Sequence, residues 1–294
     1  MNRSAPESCL VSVITPCRNA EVFIAAAIDS VQAQTLTDWE MLVVDDASTD
    51  ASAAIIADYA ARDRRICLLS LPQPAGAAGA RNLAIGQARG RYIAFLDSDD
   101  LWFPDKLAKQ VAFMAAHDSA FTYASYRLID STGRDLGVFT TAPSLTRADL
   151  LKVNSVSCLT AMYDTRHLGR MYMPDVSIGH DYALWLAIIK RVGTARGIVE
   201  PLAAYRIKQT SLSSNKFRAA HVRWRMYRCH ERLGWAKSAY YFFHYAYHGL
   251  IKYLWRARVT HWLGWGAGRP SKTGGGGGNE YTATAARDGD GAAR

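Results

Sequence analysis

Residues 91–102 read RYIAFLDSDDLW, an apolar run that ends in three carboxylates within four positions. Three similar apolar runs precede it, LVSVITP (10–16), EMLVVDD (40–46) and ICLLSL (66–71). Near-continuous apolar runs of this length are typical of strands buried on both faces of a sheet. The stretches between the runs have helical spacing or composition, at residues 20–34, 50–63 and 80–88. The alternation predicts an α/β fold, with a Rossmann-like, mostly parallel sheet and helices on both faces.

Length and composition limit the class of protein. The chain has 294 residues, 49% hydrophobic and 21% charged, which is enough for one large α/β domain. Its five cysteines are scattered without a CxxC pair, so neither a zinc site nor a disulfide framework is indicated, and a reducing cytoplasm is favoured. There is no signal-like N-terminus and no uncharged apolar run of about 18 residues, so we expect no exported and no membrane-spanning segment.

The net charge of +9 is concentrated in one segment. Residues 1–215 carry a net charge of −1, residues 216–258 carry +9, and residues 259–294 carry +1. A protein that binds nucleic acid over its whole surface would spread this charge more evenly. The distribution favours a local contact with an anionic partner.

Polar residues follow three of the predicted strands. They are TPCRN at 15–19, DDASTD at 45–50 and DSDD at 97–100. Parallel strands bring their carboxyl ends to one edge of a sheet, where ligands bind. Converging carboxylates favour Mg²⁺ or Mn²⁺, ions that often share a site with phosphates. Helix capping is the alternative for Asp50 and Asp100.

A response-regulator receiver domain is a second interpretation of the acidic residues. The pair Asp45 and Asp46, followed by Asp97, resembles its phosphorylation site. In a receiver, however, the acidic pair ends the first strand, whereas here a complete strand and helix come before it. A receiver would also leave residues 120–260 without explanation, so this interpretation is disfavoured.

Five motifs in order resemble family 2 glycosyltransferases with the GT-A fold. The motifs are residues 11–50, GAAGARNLAI (76–85), GRYIAFLDSDDLW (90–102), HDYALWLAI (180–188) and YRIKQTSLSSNK (205–216). The resemblance covers about residues 10–258 and is strongest to the teichuronic-acid-biosynthesis type, which builds bacterial cell-surface polysaccharides. It implies a GT-A sheet with a C-terminal helical extension.

The resemblance also implies roles on the donor side. The residues that it assigns to nucleotide-sugar binding are Thr15, Pro16, Asp46, Arg81, Asp97, Ser98 and Arg206. Asp46 would hydrogen-bond the uracil ring, Asp97 would contact the ribose or donor sugar, and Thr15 and Pro16 would line the base. Asp99 would coordinate the Mg²⁺ or Mn²⁺ that bridges the diphosphate and helps UDP to leave.

On the acceptor side the resemblance implies a catalytic base. An acceptor hydroxyl needs a carboxylate within hydrogen-bond reach to take its proton. The matching residue is Asp181, although His180 stands where the family usually has Glu. His180 then tunes the pKa of Asp181 or contacts the acceptor, or it is a neutral structural neighbour. Asp181 can cap its helix as well as act as the base, and the resemblance favours the base.

Three further residues have either a functional or a purely structural interpretation. Arg81 lies beside the nucleotide or only pairs with a neighbouring Asp. Trp185, one turn after Asp181, stacks under an acceptor sugar or belongs to the core. Arg206 belongs to a flexible loop that closes over the diphosphate, or to a solvated surface loop.

The basic segment at residues 217–258 is also rich in aromatic residues. Such a composition favours a helix that lies in a membrane interface, which would suit a lipid-linked acceptor. Packing against the catalytic domain with a basic outer face is the alternative. Single-stranded nucleic acid is disfavoured because a complete transferase site lies upstream.

These observations predict an inverting, metal-dependent transfer from a UDP-sugar to a hydroxyl of a lipid-linked surface glycan. We expect a cytoplasmic protein, peripheral at the inner face of the membrane. Polyprenyl phosphate as acceptor, or nucleotide-sugar binding without turnover, are the alternatives. The predicted parts are a GT-A domain (1–215, with halves at 10–118 and 119–215), a helical extension (216–263) and a disordered tail (264–294).

Overall fold

A ten-stranded mixed sheet forms the centre of the computed structural model, which describes residues 9–174, 176, 179–207, 216–247 and 249. These residues belong to one compact unit, Met1–Gly249. The predicted disordered tail at 264–294 and the end of the predicted extension lie outside the described residues. Among the helices of the described part, none combines the length and the apolar composition needed to cross a bilayer.

The sheet has ten strands in the described part of the chain, and its first four strands run parallel to one another, as predicted. The strands are β1 (Val11–Cys17), β2 (Trp39–Asp45), β3 (Ile66–Ser70), β4 (Tyr92–Phe95), β5 (Leu101–Trp102), β6 (Phe121–Ile129), β7 (Asp135–Phe139), β8 (Ser144–Thr146), β9 (Met162–Asp164) and β10 (Thr194–Arg206). Their order is β3-β2-β1-β4-β9-β6-β10-β5, with β7 on β6 and β8 on β10. β1 to β4 pair in parallel, and β6 pairs in parallel with β10.

A single reversed strand joins these two parallel groups. β9 runs antiparallel to β4 through three residue pairs and antiparallel to β6 through two. The reversal gives β6 and β10 the same direction as β1 to β4. The carboxyl ends of both groups therefore lie at one edge of the sheet.

Helices cover both faces of the sheet. They are α1 (Ile24–Gln32), α2 (Ser52–Arg62), α3 (Gly76–Gln87), α4 (Lys106–Ala116), α5 (Arg147–Lys152), α6 (Thr165–Leu168), α7 (His180–Val192) and α8 (Lys216–Arg225), followed by a further helix at residues 235–247. Adjacent residues of β1 point to opposite sides, so Val13 joins the core under α1 and Ile14 joins the core under α3 and α7. The predicted doubly covered sheet is confirmed.

Trp185 belongs to the core, so its interpretation as an acceptor platform is wrong. Its side chain is 0% exposed and stacks on Phe121 with ring centroids 5.3 Å apart, with Phe95 edge-on at 5.5 Å. Residues 182–186 of α7 are all buried. This part of the helix is covered on every side, so the spacing of Trp185 from Asp181 does not bring its side chain to the surface.

The helices after β10 pack on the α/β domain. Tyr227, in a π-helical turn at Met226–His230, is fully buried and donates a hydrogen bond from its hydroxyl to the Leu151 carbonyl at 2.6 Å. Glu231 is buried and pairs with both Arg147 and Lys190. These contacts fasten the described part of the basic segment to α5 and α7.

Candidate active site

Three strand ends meet at one edge of the sheet, as the sequence predicted. β1 lies between β2 and β4, with Cys17 beside Asp45 and Ile14 beside Phe95. The polar residues that follow β2 and β4 are therefore neighbours in space. They form the floor of the candidate site.

Asp46 fastens the loop in front of α3. Its two carboxylate oxygens accept hydrogen bonds from the backbone N–H groups of Ala75 (2.6 Å) and Gly76 (3.0 Å), at the start of that helix. A carboxylate is favoured there by the helix dipole. Asp46 is buried, and its contact with uracil stays a prediction.

Thr15 and Pro16 differ in exposure. Thr15 is fully buried and its hydroxyl oxygen has no hydrogen-bond partner, whereas Pro16 is partly exposed. Of these two residues, Pro16 is therefore the one that a nucleotide base could contact. The lining role predicted for both residues stays a prediction.

Arg81 lies at the centre of the site and joins its two sides. The guanidinium is 5% exposed, and one nitrogen, Nη2, donates to the Asp97 carboxylate. The other, Nη1, lies 2.8 Å from His180 Nε2. Arg81 therefore pairs with a neighbouring Asp, as one interpretation held, and its position beside the nucleotide stays a prediction.

His180 begins α7 and is held as a neutral imidazole. Burial, and after it the Arg81 guanidinium, lower the pKa of His180. An arginine N–H can only donate, so Nε2 must accept and the ring proton is on Nδ1. In this position His180 contacts the donor-side arginine.

Asp181 lies in the first turn of α7 and is partly exposed. The cap of α7 is Gly179, in the left-handed conformation with φ of 75°, and no side chain caps this helix end. The capping interpretation of Asp181 is therefore wrong. Burial lowers the pKa of Arg81, whereas the charge of Asp97 and, less strongly, that of Asp181 raise it. Asp181 also directly follows His180, which contacts Arg81.

The acidic turn after β4 contains one buried carboxylate. Asp100 is 1% exposed; its Oδ1 accepts from the Arg206 backbone N–H at 2.8 Å, and its Oδ2 has no partner. Burial, and then the charges of Asp97 and Asp99, raise the pKa of Asp100. The expected cap is wrong, because β5 follows Asp100 and α4 begins only after Asp105.

Arg206 holds this turn in place through hydrogen bonds. It ends β10 and is buried, and its guanidinium donates to the carbonyls of Asp99 (2.9 Å), Asp130 (3.1 Å) and Ser131 (3.2 Å). Its place in a flexible loop over the diphosphate is therefore wrong, because these bonds fix the side chain in the strand. The rest of that loop, residues 208–215, lies outside the described residues.

The residues fit a divalent cation that is shared with a diphosphate. Within the described part of the chain, no group of three or more His, Cys, Asp or Glu side chains could hold a metal by itself. Mg²⁺ is commonly bound by one or two carboxylates, together with water and phosphate oxygens. The pKa of Asp100 is raised first by burial and then by the charges of Asp97 and Asp99, and a cation beside Asp99 would offset those two charges.

Sequence reasoning missed Cys158. It lies in a 3₁₀ turn, Cys158–Thr160, and its charge neighbours include Arg81, Asp97 and Asp181. Burial raises the pKa of its thiol, so the side chain stays uncharged. No motif surrounds it in the sequence, and only the fold brings it to the site.

Comparison with protein families gives a match to the model "Glycosyl transferase family 2" over residues 12–163. The chain is 44% identical over 246 residues to the teichuronic acid biosynthesis glycosyltransferase TuaG of Bacillus subtilis, covering 83% of this chain and 98% of that protein. It is 40% identical over 218 residues to the Escherichia coli UDP-Glc:alpha-D-GlcNAc-diphosphoundecaprenol beta-1,3-glucosyltransferase WfgD, covering 73% and 84%.

Solved structures share the fold at lower identity. TarS of S. aureus (residues 1–349) in complex with UDP-GlcNAc superposes with a TM-score of 0.63 at 23% identity, over 81% of this chain and 71% of that one. A mannosyltransferase from Pyrobaculum calidifontis in complex with GDP-Man and Mn²⁺ gives 0.57 at 21% identity, over 78% and 66%. At this identity the likeness concerns the fold alone.

Proposed function

The chain belongs to glycosyl transferase family 2, and we propose that it transfers a sugar from a UDP-sugar to a hydroxyl of a lipid-linked precursor of a bacterial surface polysaccharide. The observation that carries this proposal is the bridge across the cleft. Arg81 contacts Asp97 at the end of β4 and His180 at the start of α7. The proposed donor site and the proposed base thereby share one contact.

In the proposed reaction, the oxygen of the acceptor hydroxyl attacks the anomeric carbon of the donor sugar while Asp181 accepts the hydroxyl proton. The attack comes from the face opposite UDP, so a single displacement inverts that carbon. Asp97 orients the donor, Asp46 binds the base, and Arg81 places positive charge beside the departing diphosphate. A cation at Asp99 would offset the charge of the leaving group.

The choice of donor and acceptor is supported by the relatives. The name of WfgD specifies a UDP-glucose donor and a diphosphoundecaprenol-linked acceptor, and TarS was solved with UDP-GlcNAc. The name of TuaG specifies teichuronic acid, a surface polymer. We infer the same classes of donor and acceptor here, without assigning the sugar.

We further propose that the chain is cytoplasmic and binds the inner face of the membrane through the helix at 235–247. One side of this helix, the aromatic face, exposes Tyr240 (51%), Phe243 (67%) and Tyr247 (52%), and Trp235 (70%) is exposed at the start of the helix. A cavity of about 350 Å³ beside it is lined by residues that include Arg147, Lys237, Tyr240 and Tyr241. Aromatic rings with basic neighbours suit a bilayer interface with anionic headgroups.

Vesicle binding tests the aromatic face. The full chain should sediment with phosphatidylglycerol vesicles more than with phosphatidylcholine vesicles. The double change Tyr240→Ser and Phe243→Ser should weaken this binding about tenfold, whereas Tyr172→Ser, an exposed tyrosine elsewhere, should leave it unchanged. Equal binding by all three proteins would contradict the membrane contact.

The transfer is tested by UDP release. The purified chain is assayed against a panel of UDP-sugars with a lipid-linked glycan acceptor, with Mg²⁺, with Mn²⁺ and with a chelator. We expect release with one donor, lost on chelation and reduced about 100-fold or more by Asp99→Asn. Asp58→Asn, at an exposed carboxylate paired with Arg62, is the matched control and should keep full activity. Donor binding without release under every condition would favour a binding protein without turnover.

A further inference from the structure

His180 and Arg81 form the contact between the two halves of the site. Arg81 lies on α3, which follows β3 in the donor half, whereas His180 begins α7 in the acceptor half. They are 99 residues apart in sequence, and their Nη1 and Nε2 atoms are 2.8 Å apart. Arg81 is buried, and its Nε has no partner, so the two contacts to Asp97 and His180 determine the orientation of the guanidinium.

We propose that His180 is a positioning residue, whose neutral Nε2 holds Arg81 against Asp97 and sets the distance between Asp181 and the bound donor. This inference rests on the proposed function. Asp181 is the next residue of the same helical turn, so an imidazole anchored to Arg81 also anchors the base. A shift of about 1 Å between reacting groups can reduce turnover about 100-fold.

The absence of charge on His180 is part of this role. The Glu that the family usually has at position 180 would form a second ion pair with Arg81, in competition with Asp97. In this chain it would also add a negative charge beside Asp97 and Asp181, in a site where burial, and then the Asp97 and Asp99 charges, already raise the pKa of Asp100. A neutral acceptor orients the arginine and leaves its positive charge to Asp97 and to the donor diphosphate.

Three substitutions test the role through kinetics. His180→Phe keeps the ring but removes the acceptor, so kcat should fall about 30-fold while the Kd for UDP changes less than twofold. His180→Gln supplies an amide oxygen as acceptor and should restore kcat to within threefold of the unchanged protein. His117→Phe, an exposed histidine at the opposite edge of the sheet, should have no effect.

The same variants also provide the contrary outcome. If His180→Phe and His180→Gln lowered kcat equally, the hydrogen bond would not matter and the proposal would be overturned. If both lowered UDP affinity along with kcat, His180 would support the donor pocket instead, and the positioning role would again be wrong.

A second measurement does not depend on turnover. In protein labelled with ¹⁵N-histidine, the His180 signal, assigned by its loss in His180→Gln, should show the proton on Nδ1 and an unprotonated Nε2. The opposite tautomer would overturn the proposal. Failure of every donor to release UDP would contradict the proposed function, but would leave this signal unchanged, so the two failures are distinguishable.

Discussion

The two edges of the central sheet hold their carboxylates in opposite ways. At the amino edge, three carboxylates each face one arginine: Glu40 with Arg89, Asp63 with Arg65, and Asp164 with Arg91. Each pair involves two nitrogens of the guanidinium. Arg65 contacts both oxygens of Asp63, the favoured bidentate geometry, whereas Arg89 and Arg91 each donate twice to one carboxylate oxygen. Nothing at these three carboxylates is left for a ligand.

At the carboxyl edge the acids outnumber the bases. In the acidic turn at residues 97–100, an ion pair joins Arg81 to Asp97, and Arg206 is bound to backbone carbonyls instead of carboxylates. Asp97 remains 30% exposed, and Asp100 Oδ2 has no partner. The same types of side chain are therefore structural at one edge and available for chemistry at the other.

The ratio of carboxylates to arginines therefore distinguishes the structural carboxylates of one edge from those that we propose take part in the reaction at the other. A satisfied pair stabilises the fold, whereas a surplus of negative charge is a cost that a bound cation or donor can offset. Substitutions at the two edges should therefore change different quantities, activity at one and stability at the other.

The largest effect is expected from Asp181→Asn at the carboxyl edge. The amide cannot accept the acceptor proton, so kcat should fall about 1000-fold, equivalent to about 4 kcal/mol, with UDP affinity unchanged. Initial rates and calorimetric titration with UDP measure the two quantities. Substantial remaining activity would refute the base assignment and favour a phosphate acceptor, which needs less help from a base.

Glu40→Ala tests the amino edge. Glu40 accepts from Ser12 Oγ at 2.6 Å and from the Arg89 backbone and guanidinium, so its loss leaves buried donors unpaired. We expect the free energy of unfolding to fall by about 3 kcal/mol in urea, with kcat per folded molecule unchanged. Glu200→Ala, at an exposed carboxylate paired with Lys109, should cost less than about 0.5 kcal/mol. A tenfold drop in kcat for Glu40→Ala would break the contrast between the edges.

Asp100→Asn sharpens the contrast through pH. Because the folded-state pKa of Asp100 is above its ordinary value of 3.8, the folded protein binds this proton more tightly, and its contribution to stability is lost as pH rises. With a chelator present, the amide should stabilise the protein at pH 8 by about 2 kcal/mol relative to the unchanged chain. Urea unfolding at pH 5 and pH 8 measures this difference in the free energy of unfolding. A difference of equal size at both pH values would contradict the raised pKa of Asp100.

Asp63 gives the smallest effect and the opposite sign. Its hydrogen bonds to Arg65, opposed in part by burial and assisted by Gln32, lower the pKa of Asp63 from 3.8 to about 2. This contribution is present above pH 3.8 and is lost as pH falls towards 2. Because the pair is partly open to water, we expect about 1 kcal/mol. Asp63→Asn should remove that part of the acid destabilisation, and an unchanged acid transition would contradict the assignment.

The sequence predicts the parallel half of the fold well, because strands buried on both faces read as continuous apolar runs. It also places Asp97 and Asp46 at one edge, since that follows from strand direction alone. β5, β7, β8 and β9 were missed. β5, β8 and β9 have two or three residues each, too few for a period, and β7 is exposed along most of its length, so it has no apolar run.

The errors at the site arise from long-range packing. Trp185 and Asp100 were judged from local spacing, whereas their surroundings come from Phe121 and from the end of β10. Arg206 was placed in a loop, whereas it is the last residue of β10. The Arg81–His180 contact joins residues on different helices, 99 positions apart, so no local sequence pattern predicts it.

The short reversed strand β9 has a consequence for how the two parallel groups are held together. It joins them through only three residue pairs on one side and two on the other. The core beside this seam is shared, because Trp185 of α7 packs on both Phe95 of β4 and Phe121 of β6. An aromatic side chain behind the site therefore keeps the strand that precedes Asp97 aligned with the helix that carries Asp181.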